Sequence, residues 1–306
     1  MITTICMNPS FDKTVEVDSL AIGEVNRIRS ARIDLGGKGV NVAVVAQRLG
    51  VEALCVGCMG SDGAELLESM MDAEGIRHSF LTVGGNVRTN LKIVSRAGQP
   101  VTEVNEPGPA MTTEMLKAFF ELAAEQAKDS GYAVITGSLP PGCPAGTYRG
   151  LLEALRIPCV LDVGGTELIL GCEARPLLIK PNLPELEQTM GKALSTSQEI
   201  IDAAHALMAK GAQNVLVSMG GDGALLVTPD KAYFAPSIPV KVHSTVGAGD
   251  SMVGGVLAGL ASTGDLVEAF RYGVAAGTAS VMTEGTQLVV RADFDRLLEK
   301  VTVQEV

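Results

Sequence analysis

The chain has 306 residues, 46% of them hydrophobic, and carries 24 Lys+Arg against 35 Asp+Glu for a formal net charge of −11. This length and apolar content suit one large α/β domain, alone or with an appendage, and the acidic balance excludes a general affinity for nucleic acid or for an anionic membrane. Any anionic ligand must therefore meet a local basic cluster. The opening Met-Ile-Thr-Thr-Ile-Cys-Met has no basic leader, and the apolar uncharged run 251–264 is too short and too glycine-rich to span a bilayer, so a cytoplasmic protein is expected. Six scattered cysteines, at 6, 55, 58, 143, 159 and 172, fit reduced thiols better than a disulfide framework. Cys55-Val-Gly-Cys58 is formally a CxxC, but it has no second pair and lies in an apolar strand-like run, so burial is expected. The three histidines, at 78, 205 and 243, show no metal-ligand spacing.

In chain order, residues 2–7 predict a buried strand ending at Asn8-Pro9, with Asp12 just beyond, where such strands deliver ligand-binding loops. A turn residue or cap explains Asp12 equally well. From 14 to 35 the pattern breaks into short polar strand-like pieces that suit a small sheet outside the main core. Gly36-Gly-Lys-Gly39 then opens a helix with Val42, Val45, Ala46 and Leu49 on one face and a stop at Gly50. Its Lys38 and Asn41 can donate to a polyol or phosphate, or belong to a capped surface turn. A strand at 53–58, a helix at 62–74 and a strand near 79–83 continue in βαβ rhythm. A second strand-like excursion at 86–104 closes at Asn105-Glu-Pro-Gly-Pro109, so 12–35 and 86–106 together predict a lid.

Helices at 112–128, 144–156 and 196–210 and strands at 132–136, 158–162, 176–180 and 214–219 follow. The alternation predicts a mostly parallel sheet with ligands at the strand C-terminal ends. Three turns fall at those ends: Gly137-Ser-Leu-Pro-Pro-Gly142, Lys180-Pro-Asn-Leu-Pro-Glu185 and Ser218-Met-Gly-Gly-Asp-Gly223. The densest stretch comes next. In Ser244-Thr-Val-Gly-Ala-Gly-Asp-Ser-Met252 a small-residue turn runs into an apolar helix that ends near Gly264, with Asp250 at the junction. Gly247 and Gly249 let successive N–H groups converge at a helix N-terminus, which makes a phosphate cradle. Asp250 is then either a helix cap or a carboxylate with chemical work, such as taking a proton from an attacking hydroxyl. Neither GxxxxGK[ST] nor a GxGxxG after the first strand occurs, so a P-loop enzyme or a nicotinamide dehydrogenase is excluded. Inside the helix Gly254, Gly255 and Gly259 each cost roughly 1 kcal/mol relative to Ala, which close packing against a neighbour would explain.

Gly36-Gly-Lys-Gly-Val-Asn-Val-Ala43 and the turns at 137–142, 180–185 and 244–252 together resemble the ribokinase-like (PfkB) carbohydrate kinases, in the family's order and over essentially the whole chain. The resemblance implies a three-layer α/β/α fold with a mostly parallel sheet and a small β lid, forming a single kinase domain over 1–306 that often dimerises through the lid. It implies that Asp250 is the catalytic base and that Gly247, Ala248 and Gly249 form the anion hole. Asp12, Gly37, Lys38 and Asn41 match sugar-binding positions, and Arg88, Asn90, Ser138 and Arg27 match positions that hold a sugar phosphate. Lys180, Asn182, Ser218, Gly220, Gly223, Thr245 and Gly277 match the nucleotide side, with Glu185 acting indirectly on Mg2+. ATP as co-substrate follows, and a monovalent cation near Ser244 and Val246 is left open.

Phosphoryl transfer needs charge neutralisation, an oriented nucleophile and exclusion of water, and these requirements map onto the cradle, Asp250 and the lid. Arg27, Lys38 and Arg88 supply the basic cluster, and arginines on the acceptor side favour a phosphorylated sugar. The chain is most similar to the phosphosugar branch of the family. A ketohexose phosphate is therefore the expected acceptor, fructose 1-phosphate first, because Asn105-Glu-Pro-Gly-Pro109 resembles that subgroup. Tagatose 6-phosphate and fructose 6-phosphate remain alternatives, as do a kinase of free sugars or nucleosides and a non-catalytic sugar-phosphate sensor.

Overall fold

The computed structural model describes residues 1–283 and 287–306. Strand β1 (Ile2–Cys6) is buried at all five positions, as a strand covered on both faces must be. It pairs in parallel with β4 (Ala53–Asp62) on one side and β8 (Tyr132–Thr136) on the other. Parallel pairing continues outward to β5 (Arg77–Asn86) past β4, and to β9 (Cys159–Asp162), β10 (Leu178–Ile179) and β11 (Val215–Ser218) past β8. The C-terminal ends of these strands therefore share one edge, where ligands of such sheets bind.

Two apolar clusters cover the two faces. Helices α1 (Lys38–Arg48), α8 (Ala248–Thr263), α9 (Leu266–Val281) and α10 (Arg291–Leu298) pack on one face. On the other lie α3 (Thr113–Ala127), α4 (Thr147–Leu155), α5 (Gly165–Cys172) and α7 (Ser197–Met208). The expected three-layer arrangement is present. The six cysteines are free and five of them are buried; burial pushes Cys159 up to about 12, which keeps its thiol inert. Among the described residues no helix is long and apolar enough to cross a membrane.

The structure adds elements that the periodicity leaves out. Between the strands expected at 158–162 and 176–180 runs the eight-residue α5, whose brevity hides its period behind Gly164 and Gly165. Past residue 219 the sheet turns antiparallel, with β12 (Ala224–Val227), β13 (Ala232–Ala235) and β14 (Gln304–Glu305) forming one edge. Elsewhere the predicted elements stand with shifted ends: α2 spans Ala64–Ala73, and α8 stops at Gly264 in the left-handed region.

The excursions at 12–35 and 86–106 form a separate sheet of four strands in the order β3 (Ile28–Gly36), β2 (Ser10–Val17), β6 (Arg88–Ser95), β7 (Thr102–Asn105). It grows from the C-terminal ends of β1 and β5, so it stands over the ligand-bearing edge.

Candidate active site

The glycine turns that begin α1 and α8 face each other. Gly37 is the N-cap of α1 with φ +97°, and Gly39 packs so close to β1 that a Cβ would come within 2.7 Å of Ile5 O. This brings Lys38 and Asn41 against the end of the sheet. Gly247, with φ +79°, caps α8, which places Asp250 at the third helical position and excludes the reading of Asp250 as the cap itself. The N–H groups of Gly249 and Asp250 have no acceptor among the described residues. Orphan donors at a helix N-terminus make an anion site.

Asp250 is 6% exposed, and its Oδ2 accepts from Asn41 Nδ2 at 2.8 Å. Burial, followed by the nearby charge of Asp162, raises its pKa to about 6, against the lowering effect of Asn41, Lys38 and Lys180. Such a carboxylate is ionised at neutral pH and is a better proton acceptor than an ordinary aspartate.

Asp162, at the end of β9, did not stand out in the sequence. It is 2% exposed and lies between Lys180 Nζ at 2.9 Å and Lys38 Nζ at 3.7 Å, with Thr136 Oγ1 donating at 2.8 Å. Burial alone would raise its pKa, but the two ammonium groups hold it below the usual carboxylate range. Lys180 Nζ in turn lies 3.7 Å from where a Cβ on Gly249 would be, so one buried anion fixes a cation beside the cradle.

The residues assigned from sequence to catalysis, sugar, nucleotide and magnesium, except Arg27, line one cavity of about 1150 Å3; Ser244, marked for a cation, does not. That volume exceeds the usual range for a single small ligand. Asp12, Arg88 and Asn90 line the cavity from the small sheet, Lys38 and Asn41 from α1, and Ser138 from the turn after β8. Asn182, Ser218, Gly220 and Gly223 line it from the ends of β10 and β11 and the turns that follow, with Thr245 just ahead of α8 and Gly277 on α9. Arg88 is half-buried and donates from Nε to Asn8 O at 3.0 Å; desolvation lowers its pKa, and no carboxylate pairs with it among the described residues. Arg27 is the correction. The β2/β3 hairpin pairs Ser10 with Gly36 at its base and Val17 with Ile28 at its tip, so Arg27 lies exposed at the far end, roughly 17 Å of strand beyond Asp12. The cations of the cavity are Lys38, Arg88 and Lys180.

The sequence pattern also gave no sign of an apolar stretch of the cavity lining, Ile238, Pro239, Val240 and Val242, which line it together with Val281. These residues belong to a connection without regular structure, so no periodicity marks them.

Glu185 both caps a helix and lines the cavity. Its Oε2 accepts from Asn182 N at 2.9 Å while Asn182 Oδ1 accepts from Glu185 N at 2.8 Å, a complete capping box at the start of α6 (Leu183–Met190). The carboxylate nevertheless lines the cavity. No cluster of three metal-binding side chains exists among the described residues. Magnesium would need no such cluster, because it keeps several waters and is held by one or two carboxylates plus substrate phosphates.

Residues 6–293 match the pfkB family carbohydrate kinases. The chain belongs to that family. It is 36% identical over 296 residues to 1-phosphofructokinase of Bacillus subtilis (strain 168), covering 95% of this chain and 96% of that one. It is 32% identical over 305 residues to 1-phosphofructokinase of Vibrio cholerae, covering 99% and 96%. Phosphofructokinase-2 from Escherichia coli, solved in complex with potassium, superposes with a TM-score of 0.92 at 30% identity over 98% of both chains. As a pfkB family carbohydrate kinase the protein is a sugar phosphotransferase, and the family implies ATP as co-substrate and typically Mg2+.

Because Gln also serves a capping box, Glu185→Gln separates the two duties of this side chain. We expect unchanged thermal stability but a higher free magnesium requirement, with kcat/KM for the nucleotide lowered about 10- to 100-fold. An unchanged magnesium titration would leave Glu185 with the cap alone.

Proposed function

We propose that the protein transfers the γ-phosphoryl group of ATP to fructose 1-phosphate, giving fructose 1,6-bisphosphate. The names of the B. subtilis and V. cholerae relatives support this substrate. The observation that carries it is an Asp250 carboxylate at the mouth of a helix-terminal anion cradle, with the unpaired Arg88 guanidinium at the acceptor end of the same cavity. The acceptor hydroxyl gives its proton to Asp250 as its oxygen attacks the γ-phosphorus, and the bond to the ADP oxygen breaks. Asn41 holds the base in place, while the cradle N–H groups and Lys180 meet the developing charge. Lys38, on the acceptor side of Asp162, extends that positive field toward the incoming sugar. Glu185 would orient the waters of a magnesium ion bound with the nucleotide, which would supply further neutralisation. The apolar wall at 238–242, with Gly277, takes the base of ATP. The potassium complex of phosphofructokinase-2 supports a monovalent cation, and the place proposed for it is near Ser244 and Val246.

The four-stranded sheet acts as the lid of a single kinase domain. Its outer residues include Ile22, 97% exposed, and Val25, 84% exposed, with Ile28, Ile33 and Val104 also open. Large exposed apolar residues gathered on one element mark an interaction surface, here between two lids of a homodimer. A cytoplasmic location accords with the free cysteines.

A coupled assay over fructose 1-phosphate, tagatose 6-phosphate, fructose 6-phosphate and fructose tests the substrate. We expect fructose 1-phosphate to give the highest kcat/KM. Faster turnover of an unphosphorylated sugar would overturn the phosphosugar reading, and binding without turnover would make the protein a sensor.

A further inference from the structure

Strand β6 carries Arg88, Asn90 and Lys92 at alternate positions and hence on one face. It pairs with β2 so that Ser10 stands opposite Arg88, Asp12 opposite Asn90 and Thr14 opposite Lys92. Asp12, Arg88 and Asn90 line the cavity, whereas Lys92 does not. Lys92 Nζ instead reaches Asp12 Oδ2 at 2.9 Å, with side-chain exposures of 9% and 11%. The other carboxylate oxygen, Oδ1, accepts from Ser10 Oγ and Asn90 Nδ2, both at 3.0 Å. Gly36 presses from behind: a Cβ there would stand 2.2 Å from Asp12 Oδ1.

A buried ion pair is a poor stabiliser, because desolvating both charges offsets their attraction. Other ion pairs on this sheet, Arg29–Asp18, Arg32–Asp34 and Arg96–Glu16, are more exposed. The ligand gives the buried pair a reason. A carboxylate at the acceptor end would repel a sugar phosphate in a cavity where salt screens little. It would also compete with that phosphate for the Arg88 guanidinium. With Lys92 bound to it from behind, Asp12 can still take a sugar hydroxyl while the pair stays neutral and Arg88 stays free for the phosphate.

We propose that Lys92 is a positioning residue that sets acceptor selectivity: by neutralising Asp12 it lets the site prefer a phosphorylated sugar over its unphosphorylated counterpart. This rests on the phosphosugar reading above. The test compares wild type, Lys92→Met, Asp12→Asn and the double variant by calorimetric titration of fructose and fructose 1-phosphate. The readout is the ratio of the two dissociation constants. A weaker hydrogen bond between residue 12 and the sugar hydroxyl affects both ligands and cancels in that ratio, as does any general loosening of the sheet. The preference for fructose 1-phosphate is expected to follow local charge: highest in Asp12→Asn, similar in wild type and the double variant, and lowest in Lys92→Met, roughly 10-fold or more below wild type. Lys92→Arg should restore most of it. Equal ratios in all four proteins, or a double variant as low as Lys92→Met, would overturn the proposal. Should Lys92→Met fail to fold, Asp12→Asn and the double variant still differ only at residue 92, and equal ratios in those two overturn it. A wild type that turns over fructose 1-phosphate but gives equal ratios sinks the role of Lys92 alone. One that neither binds nor turns over that sugar sinks the phosphosugar reading with it.

Discussion

Asp250→Asn will lower kcat at least about 10²-fold while the sugar phosphate and ATP still bind, because the amide keeps the shape and the Asn41 neighbour but cannot take a proton. The same variant carries a second, opposite effect. Burial and the Asp162 charge raise the Asp250 pKa from 3.8 to about 6, so between those values the folded protein holds a proton that the unfolded chain has released. Unfolding free energy therefore falls as pH rises through that window, and the cost is complete above about pH 6. Asp250→Asn lacks this cost. Above pH 6 it should be the more stable protein, by up to about 3 kcal/mol, with the gap closing as pH falls toward 4. Thermal melting from pH 4.5 to 8 measures this, and the wild-type kcat/KM should show an acid limb near pH 6. Near-normal kcat in the variant would remove the base assignment, and a pH-independent gap in stability would remove the account of the buried charge.

Arg88→Ala is expected to act on the phosphorylated sugar and spare the nucleotide. A guanidinium paired with phosphate in a closed site makes charge-assisted hydrogen bonds typically worth about 1.5–3 kcal/mol, or roughly 10- to 150-fold in kcat/KM. The KM for ATP should hold, since Arg88 belongs to the small sheet, whereas the proposed nucleotide residues at 218–223 sit at the end of β11 in the main sheet. Arg88→Lys should recover only part, because Nε is already given to Asn8 O and a point charge cannot reproduce the remaining fork. Equal losses with fructose 1-phosphate and fructose would make Arg88 an organiser of the lid instead. No loss with any sugar would make it a solvated arginine.

The parts of this protein that were legible in the sequence are those whose physics is local. A glycine forced into the left-handed region, such as Gly37 or Gly247, announces a turn into a helix, and Asp250 and Asn41 sit within a few residues of such turns. Groups whose meaning depends on distant chain stayed hidden. Asp162 reads as the end of a buried strand, and only the fold delivers Lys38 and Lys180 to it. Lys92 looks like any strand lysine until the parallel register of β2 and β6 sets Asp12 beside it. Arg27 fails in the reverse sense. It is close in sequence to Asp12 and Lys38, but a regular hairpin carries it to the wrong end.

The three interior glycines of α8 settle what can move. A Cβ at Gly254 would come within 2.6 Å of Val45 on α1, and one at Gly255 within 2.6 Å of Tyr272 O on α9. At Gly259 it would come within 2.5 Å of Ala269 Cα. Helix α8 is thus wedged backbone to backbone between the helix that starts at Lys38 and the helix that carries Gly277. Interiors packed this closely transmit displacement instead of absorbing it. Asp250, the glycine turn ahead of it and Gly277 therefore belong to one rigid body, and in the proposed closure the small sheet is the part that moves. For the small sheet to act as the proposed lid, it would flex where the chain enters and leaves it, at Met7–Pro9, Gly37, Val87 and the stretch 106–112, joints that include the cavity residues Asn8 and Gly37.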